Sequence, residues 1–492
     1  MPNQVQFSVA AAIARIALVA AFLLVVLPPP ASDQCAAWWA EAEFAVQQGD
    51  IVAAQSALDR VLVAVSDDVI HAASVQARVY ALLVDAHLAA GRYDAARVYL
   101  YALADVDGWT PARREQLRTI FDYTGEIQAA TALLMAELDT PTGDVAEPAN
   151  PAVLRELAQL AIDQLDWAQA ETTLAELVTI APDDAWAFYQ LGLIVAPQNP
   201  AYAADYLIRA ALNPDYTARA DAVRAALSAY ETQSLTDAHT TLGITLTGLG
   251  EWPFAERVLQ IALDVNAVNP TALAYRGFVR DQQGRDGLAD IEAARAMDPN
   301  DPVIYYMLGM HWRLADAAQT ALVAFEHAYW LDSENPALAA EVGRSWQQLS
   351  EFDSAEEWLR RAVELAPDDL RWQITLAVFY ADTGFDLEET GLPYIEELVE
   401  KVPFNPNIQA SLGWAYAQTG DLDRAYDRIN IAIGADPDNV RSRYYFGAIL
   451  ERQGNVDSAA SSYWFVVDEA GSERGFGLLA ARALQRLGYI TP

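Results

Sequence analysis

The sequence predicts an all-α protein, a solenoid of stacked helix-turn-helix units, and the regular spacing of small residues, alanines and prolines predicts it. A small residue recurs through the second half of the chain at separations of 34, 32, 34, 34, 36 and 34 residues. In most units an alanine follows twelve residues later, a second alanine seven residues after that, and then a closing proline. A period near 34 residues is typical of stacked helical hairpins. The recurring small residues are Gly243, Gly277, Gly309, Gly343, Ala377, Gly413 and Gly447.

Two antiparallel helices per unit account for these positions. Gly243 on a first helix, with Ala255 and Ala262 on a second, would stand where the two helices cross, because a larger side chain would hold them apart. A second glycine, such as Gly250 or Gly454, falls between the two helices, where a left-handed backbone conformation ends the first one. Each unit is therefore expected to be one helical hairpin.

Composition narrows the function classes. Of 492 residues, 53% are hydrophobic and 20% charged, which excludes a disordered chain. The 31 basic residues against 68 acidic ones give a net charge of −37, which disfavours binding to nucleic acid phosphates. The single cysteine, Cys35, excludes an internal disulfide framework and a cysteine-based zinc site.

The amino terminus carries a membrane signal. Ser8 to Leu27 is a twenty-residue segment whose one charge is Arg15, and as a helix it would match the thickness of a bilayer core. The run after Arg15 is only twelve residues, which also suits a signal peptide. We favour an uncleaved anchor, with secretion after signal cleavage as the alternative, and either one places the rest of the chain on the extracytoplasmic side.

The remaining chain divides at changes in the repeat pattern. Divergent repeats occupy 35–138, and a linker at 139–150 follows, because this stretch lacks an apolar period. Repeats plus an extra helix out of register are predicted at 151–235, the main array at 236–473, and a capping helix at 474–492. In the unit after Gly384, Pro393 falls within the second helix, so that helix should start late or kink.

These units resemble the tetratricopeptide repeat family. The segment 336–367, PALAAEVGRSWQQLSEFDSAEEWLRRAVELAP, is a close match, and a second one ends at Pro437. The resemblance is strong from about Asp237 to Val467 and weak in the units near Gly49, Gly91 and Gly125. It implies an open right-handed α-solenoid superhelix of about twelve units behind one hydrophobic N-terminal helix.

The resemblance also implies a groove lined by the first helix of each unit. Arginine, aromatic and amide side chains share this strip of an otherwise acidic chain. Arginine pairs with carboxylates and aromatic rings supply rigid contact, so the strip is a candidate site for a segment of another protein, including one with acidic side chains. The alternative is that these arginines only offset nearby acids. The candidate residues are Phe278, Gln282, Tyr306, Met310, Arg313, Arg344, Gln347, Gln348, Arg371, Trp414, Gln418, Arg441, Tyr444 and Arg452.

Catalytic and metal motifs do not emerge from the sequence. It contains no HExxH, GxSxG or phosphate-binding glycine loop, and we assign no catalytic, cofactor or metal residues and no enzyme activity. The histidines are interpreted as packing or surface residues, and acid pairs such as Asp368-Asp369 as helix caps.

The function expected from the sequence is a non-catalytic scaffold for protein–protein interaction, tethered to a membrane or exported, with unknown partners and no nucleic acid. Two alternatives stay open: an accessory or regulatory component of an envelope polysaccharide or protein-export system, and a self-assembling structural protein. Both follow from analogy with other repeat arrays or from apolar composition, since fold alone does not determine function.

Overall fold

The protein is described here from a computed structural model, which covers residues 33–47, 50–65, 69–124, 129, 132, 150–472 and 475–489. Within these ranges the regular structure is helical and contains no β-strand. The all-helical class predicted from the repeat pattern is thus confirmed for the described residues. The predicted anchor at 8–27 and all but the last residue of the predicted linker at 139–150 lie outside the described residues.

The described residues form two compact units. The N-terminal unit comprises 33–195 and 205–217, and the C-terminal unit comprises 196–204 and 218–489. The predicted boundaries at 138, 150, 235 and 473, and the count of about twelve repeats, stay predictions. Helices of the N-terminal unit are α1 (Asp33–Gln47), α2 (Ile51–Val65), α3 (Val69–Ala89), α4 (Tyr93–Asp107), α5 (Pro111–Thr124), α6 (Pro151–Asp163), α7 (Trp167–Ile180) and α8 (Ala185–Val195).

Two helices have residues in both units: α9 (Pro200–Ala210) and α10 (Pro214–Leu227). The C-terminal unit continues as paired helices, each pair a hairpin of a first and a second helix. They are α11 (Ala229–Thr232), α12 (Leu235–Gly248), α13 (Trp252–Val265), α14 (Pro270–Gln282), α15 (Leu288–Met297), α16 (Pro302–Leu314), α17 (Ala318–Leu331), α18 (Pro336–Gln348), α19 (Phe352–Leu365), α20 (Leu370–Thr383), the π-helical turn π1 (Leu387–Gly391), α21 (Leu392–Lys401), α22 (Pro406–Gln418), α23 (Leu422–Ala435), α24 (Val440–Arg452), α25 (Val456–Ala470) and α26 (Gly475–Arg486).

First helices begin at a repeated cap. The side chains of Asn269, Asp301 and Asn335 each accept a hydrogen bond from a backbone N–H two or three residues later, and proline follows each of them. Proline suits the first helical position because its missing N–H would have no partner there. Asp369 caps α20 in the same way, which confirms the capping role predicted for that acid pair.

First helices end in a left-handed residue, as the second glycine of each unit predicts. Gly250 and Gly284 have φ of 75° and 71°. Asp316 and Ser350 take the same place in the next two hairpins with φ of 57° and 63°. Non-glycine residues adopt this conformation only at a cost, so the turn is set by the packing of the hairpin as well as by glycine.

Small residues on first helices allow the hairpin to close. A Cβ added to Gly309 would lie 2.6 Å from the Phe325 ring, and one added to Gly343 would lie 2.8 Å from Leu359. These large residues come sixteen positions after each glycine, and the alanines predicted at the crossing, such as Ala321 and Ala355, are buried beside them. The core therefore runs along the seam between first and second helices.

Both predicted departures from the repeat are present. Helices α10 and α11 lie between α9 and α12, where the extra helix was expected. After α20, the chain forms π1 at Leu387–Gly391, and α21 starts late, at Leu392, with Pro393 in its first turn. Proline is tolerated there because first-turn N–H groups have no helical acceptor.

At the C-terminal end, α26 packs on α25. Ala480, Ala483 and Leu484 of α26 are buried in one cluster with Tyr463 and Val466 of α25. Helix α26 thus covers part of the apolar side of the hairpin formed by α24 and α25.

Gly309→Ala tests the closure of the hairpin seam. We expect it to lower the free energy of unfolding by about 1–3 kcal/mol, since the added methyl group collides with the Phe325 ring. Urea titration followed by circular dichroism measures the effect. Gly434→Ala is the matched control: it lies in α23 with open space around a new Cβ, so it should be neutral or stabilise by up to about 1 kcal/mol. Equal effects of the two substitutions would contradict the packing argument.

Candidate partner-binding groove

The fourteen groove residues predicted from the sequence lie on first helices of the C-terminal unit. Phe278 and Gln282 belong to α14, and the next helices contribute in turn. Helix α16 carries Tyr306, Met310 and Arg313; α18 carries Arg344, Gln347 and Gln348; α20 carries Arg371; α22 carries Trp414 and Gln418; α24 carries Arg441, Tyr444 and Arg452. Their assignment to one partner-binding surface stays a prediction, so their actual contacts matter.

Glu341 joins the arginines of two neighbouring first helices. Glu341 is buried, with 7% of its surface exposed. Its carboxylate accepts one hydrogen bond from Arg313 Nη1 and another from Arg344 Nη1 at 2.6 Å. Arg313 also lies with its guanidinium carbon 5.5 Å from the centre of the Phe325 ring. One buried negative charge therefore holds two positive groups, which leaves an excess positive charge at this point of an acidic chain.

Tyr306 and Met310 lie beside this cluster. The Tyr306 ring is 5.9 Å from the Phe325 ring, and Met310 Sδ contacts Arg313. Burial raises the pKa of Tyr306, and the negative charge of Glu341 raises it further, while Arg313 and Arg344 act against both. The tyrosine hydroxyl therefore stays protonated and can donate a hydrogen bond.

The α14 residues are more enclosed. Phe278 meets Trp252 of α13 edge to face, with ring centroids 6.3 Å apart. Gln282 is half-buried, and its Nε2 is a buried donor without a hydrogen-bond partner. A buried donor of this kind gains if a ligand supplies an acceptor.

Arg371 differs from the other arginines. Its side chain is 77% exposed at the start of α20, and it pairs with Asp369, which caps the same helix. Because the Arg371–Asp369 ion pair is exposed to solvent, it contributes little to stability. Arg371 is thus available to a partner but is not joined to the Glu341 cluster by a described contact.

Near the C-terminal end, the predicted residues form an aromatic cluster. Trp414 stacks on Tyr445 with centroids 4.9 Å apart and planes 4° apart, and the Arg452 guanidinium lies 4.7 Å from the Trp414 ring centre. Arg452 also donates to the carbonyl of Ala417. Gln418 donates from Nε2 to the carbonyl of Ala381 at 2.8 Å.

Arg441 and Tyr444 complete this cluster through α26. Arg441 pairs with Asp382 Oδ2 at 3.2 Å and lies 5.4 Å from the Phe476 ring centre, while Tyr444 and Phe476 have centroids 5.3 Å apart. Burial raises the pKa of Asp382, and Arg441 and the Tyr445 hydroxyl bound to it act in the opposite direction. Phe476 of α26 thus contacts two of the predicted residues, Arg441 and Tyr444.

The structure therefore joins eight of the predicted residues into two groups. Tyr306, Met310, Arg313 and Arg344 gather around Glu341, and Trp414, Arg441, Tyr444 and Arg452 gather around Tyr445. The other six belong to neither group by a described contact: Phe278, Gln282, Gln347, Gln348, Arg371 and Gln418. Sequence reasoning missed Glu341, Asp382, Tyr445 and Phe476. Helical spacing could have found Glu341, because it lies three residues before Arg344 on the same helix. Asp382 lies 59 residues from Arg441, and no local signal connects them.

Comparison with known families places a repeat in this region. Residues 410–463, from α22 to α25, match the family model described as Tetratricopeptide repeat. The second repeat segment found in the sequence, which ends at Pro437, begins at Pro406 and overlaps this match over residues 410–437.

Two curated relatives share limited similarity. BBSome complex member BBS4 of Bos taurus is 23% identical over 158 residues, which are 32% of this chain and 28% of the relative. Superkiller protein 3 of Schizosaccharomyces pombe is 22% identical over 182 residues, 36% of this chain and 13% of the relative. This chain thus spans under a third of the length of either one.

Two solved structures are also similar. A tetratricopeptide repeat protein from Parabacteroides merdae aligns with a TM-score of 0.45 and 15% identity, over 51% of this chain and 98% of that one. Yeast Tom70 aligns with a TM-score of 0.39 and 13% identity, over 92% of this chain and 95% of that one.

Removing the charge of Glu341 tests the cluster. We expect Glu341→Gln to lower the free energy of unfolding by about 1–3 kcal/mol, because both arginines lose their buried anion while retaining partial solvent contact. Arg344→Gln should cost less, because Arg313 still neutralises the carboxylate. Urea denaturation of the two variants measures the difference, and an equal or reversed order would show that Glu341 does not hold the cluster together.

Proposed function

We propose that this chain, in which residues 410–463 match a tetratricopeptide repeat, is a non-catalytic scaffold that binds partner polypeptides along the first helices of its C-terminal unit. Proteins of this repeat type generally act in protein–protein interaction. The main support for the proposal is the Glu341 cluster. There the Arg344 side chain is 41% exposed although its Nη1 is hydrogen-bonded to Glu341. A guanidinium has five donors, so this group retains donors for a partner.

The geometry supports a contact surface better than a reaction site. Arginine, aromatic and amide side chains recur on successive first helices. Arginine and aromatic residues in particular are frequent anchors of protein interfaces. Tyr306 and Tyr444 both have raised pKa values, first through burial, which suits hydrogen-bond donors more than acid–base catalysts at neutral pH.

A charge-reversal variant tests the proposed surface. Native complexes are first crosslinked in membranes, and mass spectrometry identifies the attached protein. The triple variant Arg344→Glu, Arg371→Glu, Arg441→Glu is then compared with the wild type in a pull-down of that protein. We expect capture to be lost, because the variant removes the cationic donors and adds repulsion to acidic groups.

The matched control is Arg295→Glu, Arg361→Glu, Arg424→Glu. These arginines lie on second helices α15, α19 and α23, and each pairs with an acid nearby, as Arg344, Arg371 and Arg441 do. The control changes net charge equally, so it should retain capture. Unaltered capture by the first variant, with its folding verified by circular dichroism, would remove the groove proposal.

We further propose that residues 8–27 hold the chain at a membrane, with the repeats on the extracytoplasmic side. Among the described residues, no helix has the length and hydropathy needed to cross a bilayer. The proposal therefore depends on the apolar composition of the segment before Asp33.

Deletion of residues 2–32 tests this attachment. We expect the full chain to remain in the membrane fraction after alkaline extraction and to be digested by protease added from the extracytoplasmic side, whereas the deleted form should not reach that side. If the protein expressed from the full sequence is instead recovered in the soluble extract with a new N-terminus near residue 32, the segment is a cleaved signal peptide and the protein is secreted. Protection of the full chain from protease would contradict either topology.

A further inference from the structure

We infer that Asp281, Asp286 and His311 form a binding site for a divalent transition-metal ion between the first helices of two consecutive hairpins. Asp281 lies in the last turn of α14, Asp286 in the loop that follows, and His311 in α16. One candidate ligand atom from each residue lies within 4.8 Å of the other two. Three ligating side chains from separate positions in the chain thus converge on one point.

Two of the three ligands are already in contact. His311 Nδ1 lies 2.9 Å from Asp281 Oδ2 and 3.0 Å from Oδ1. The Asp281 side chain is 5% exposed and the His311 side chain 13%, whereas Asp286 is exposed. Two enclosed ligands and one from a solvent-facing loop leave a path by which an ion can enter.

Backbone hydrogen bonds orient the carboxylates. Asp281 Oδ1 accepts from the Gly287 N–H at 2.8 Å, and Asp286 Oδ1 accepts from the Leu288 N–H at 2.9 Å. The edge of the Trp312 ring packs near His311, with ring centroids 5.0 Å apart. Partners of this kind fix ligand direction around a metal and increase its affinity.

The nearby cations are engaged elsewhere. Arg280 pairs with Glu256 and with Asp290, and Arg285 pairs with Glu256. Asp281 and Asp286 together carry two negative charges against one imidazole. Among the described residues no arginine or lysine pairs with Asp281 or Asp286, so both carboxylates remain open to a cation.

The donor set selects the class of ion. One imidazole nitrogen with two carboxylates suits zinc, cobalt or nickel, whereas calcium and magnesium require more oxygen ligands. Three protein ligands leave a position for water. Coordination through Nδ1 requires the His311 tautomer that carries its proton on Nε2, so the bond from Nδ1 to Asp281 is exchanged for one to the metal.

Metal binding would connect two hairpins next to the groove. Gln282 follows Asp281 directly on α14, and Met310 precedes His311 on α16. An ion bound by both helices fixes their relative position and stabilises the folded state in proportion to its occupancy.

Cobalt(II) titration of the full chain tests the site, since cobalt shows visible absorption that depends on its ligands. We expect one saturable equivalent per chain and a rise in the thermal unfolding midpoint on adding zinc. His311→Gln and Asp286→Asn should each weaken cobalt binding at least about tenfold. Asp286 is exposed, so its variant should fold even if changes at the enclosed His311 do not.

His327→Gln is the control, because this histidine of α17 packs on Tyr305 and lies outside the three ligands. It should leave cobalt binding unchanged. Absence of saturable cobalt binding by the wild type would overturn the inference, and so would binding that survives both His311→Gln and Asp286→Asn. These results are independent of partner capture by the groove.

Discussion

The close approach of the two helices of each hairpin is the constraint on which the C-terminal unit depends. Gly309 lies against the Phe325 ring and Gly447 against Tyr463, in contacts that leave no room for a Cβ. The large residue of the second helix thereby fills the space beside the glycine. Each hairpin then buries its remaining apolar residues against the next hairpin. The positions of the predicted groove residues on the first helices are therefore set by packing between helices and not by the groove residues themselves.

Much of this fold was predictable because its signals are local and repeated. Spacing predicted the crossing glycines, and the left-handed residues after the first helices followed from Gly250 and Gly284. The position of Pro393 predicted the late start of α21. The π-helical turn before it was not predicted, because its geometry depends on the close approach of Gly391 to Tyr380, a contact that no sequence period encodes.

The site was less predictable than the fold. Family resemblance selected positions on first helices, but it could not say which acids pair with the arginines. Glu341 binds two arginines from different helices, and Asp382 binds Arg441 from 59 residues away. Nothing in the sequence indicated that His311 is more than a packing or surface residue, because its carboxylate partner lies 30 residues earlier on another helix. Pairings of this kind are set by the stacking of hairpins and become visible only in three dimensions.

The contact between Phe476 and Tyr444 gives α26 a second role besides covering the last hairpin. The ring of Phe476 lies against Tyr444 and beside Arg441, two residues of the predicted groove. Shortening the protein before position 475, or fusing a bulky domain directly after α26, would therefore change the surroundings of these two residues. Labels intended to leave ligand capture intact belong on the loops of second helices, away from this aromatic junction.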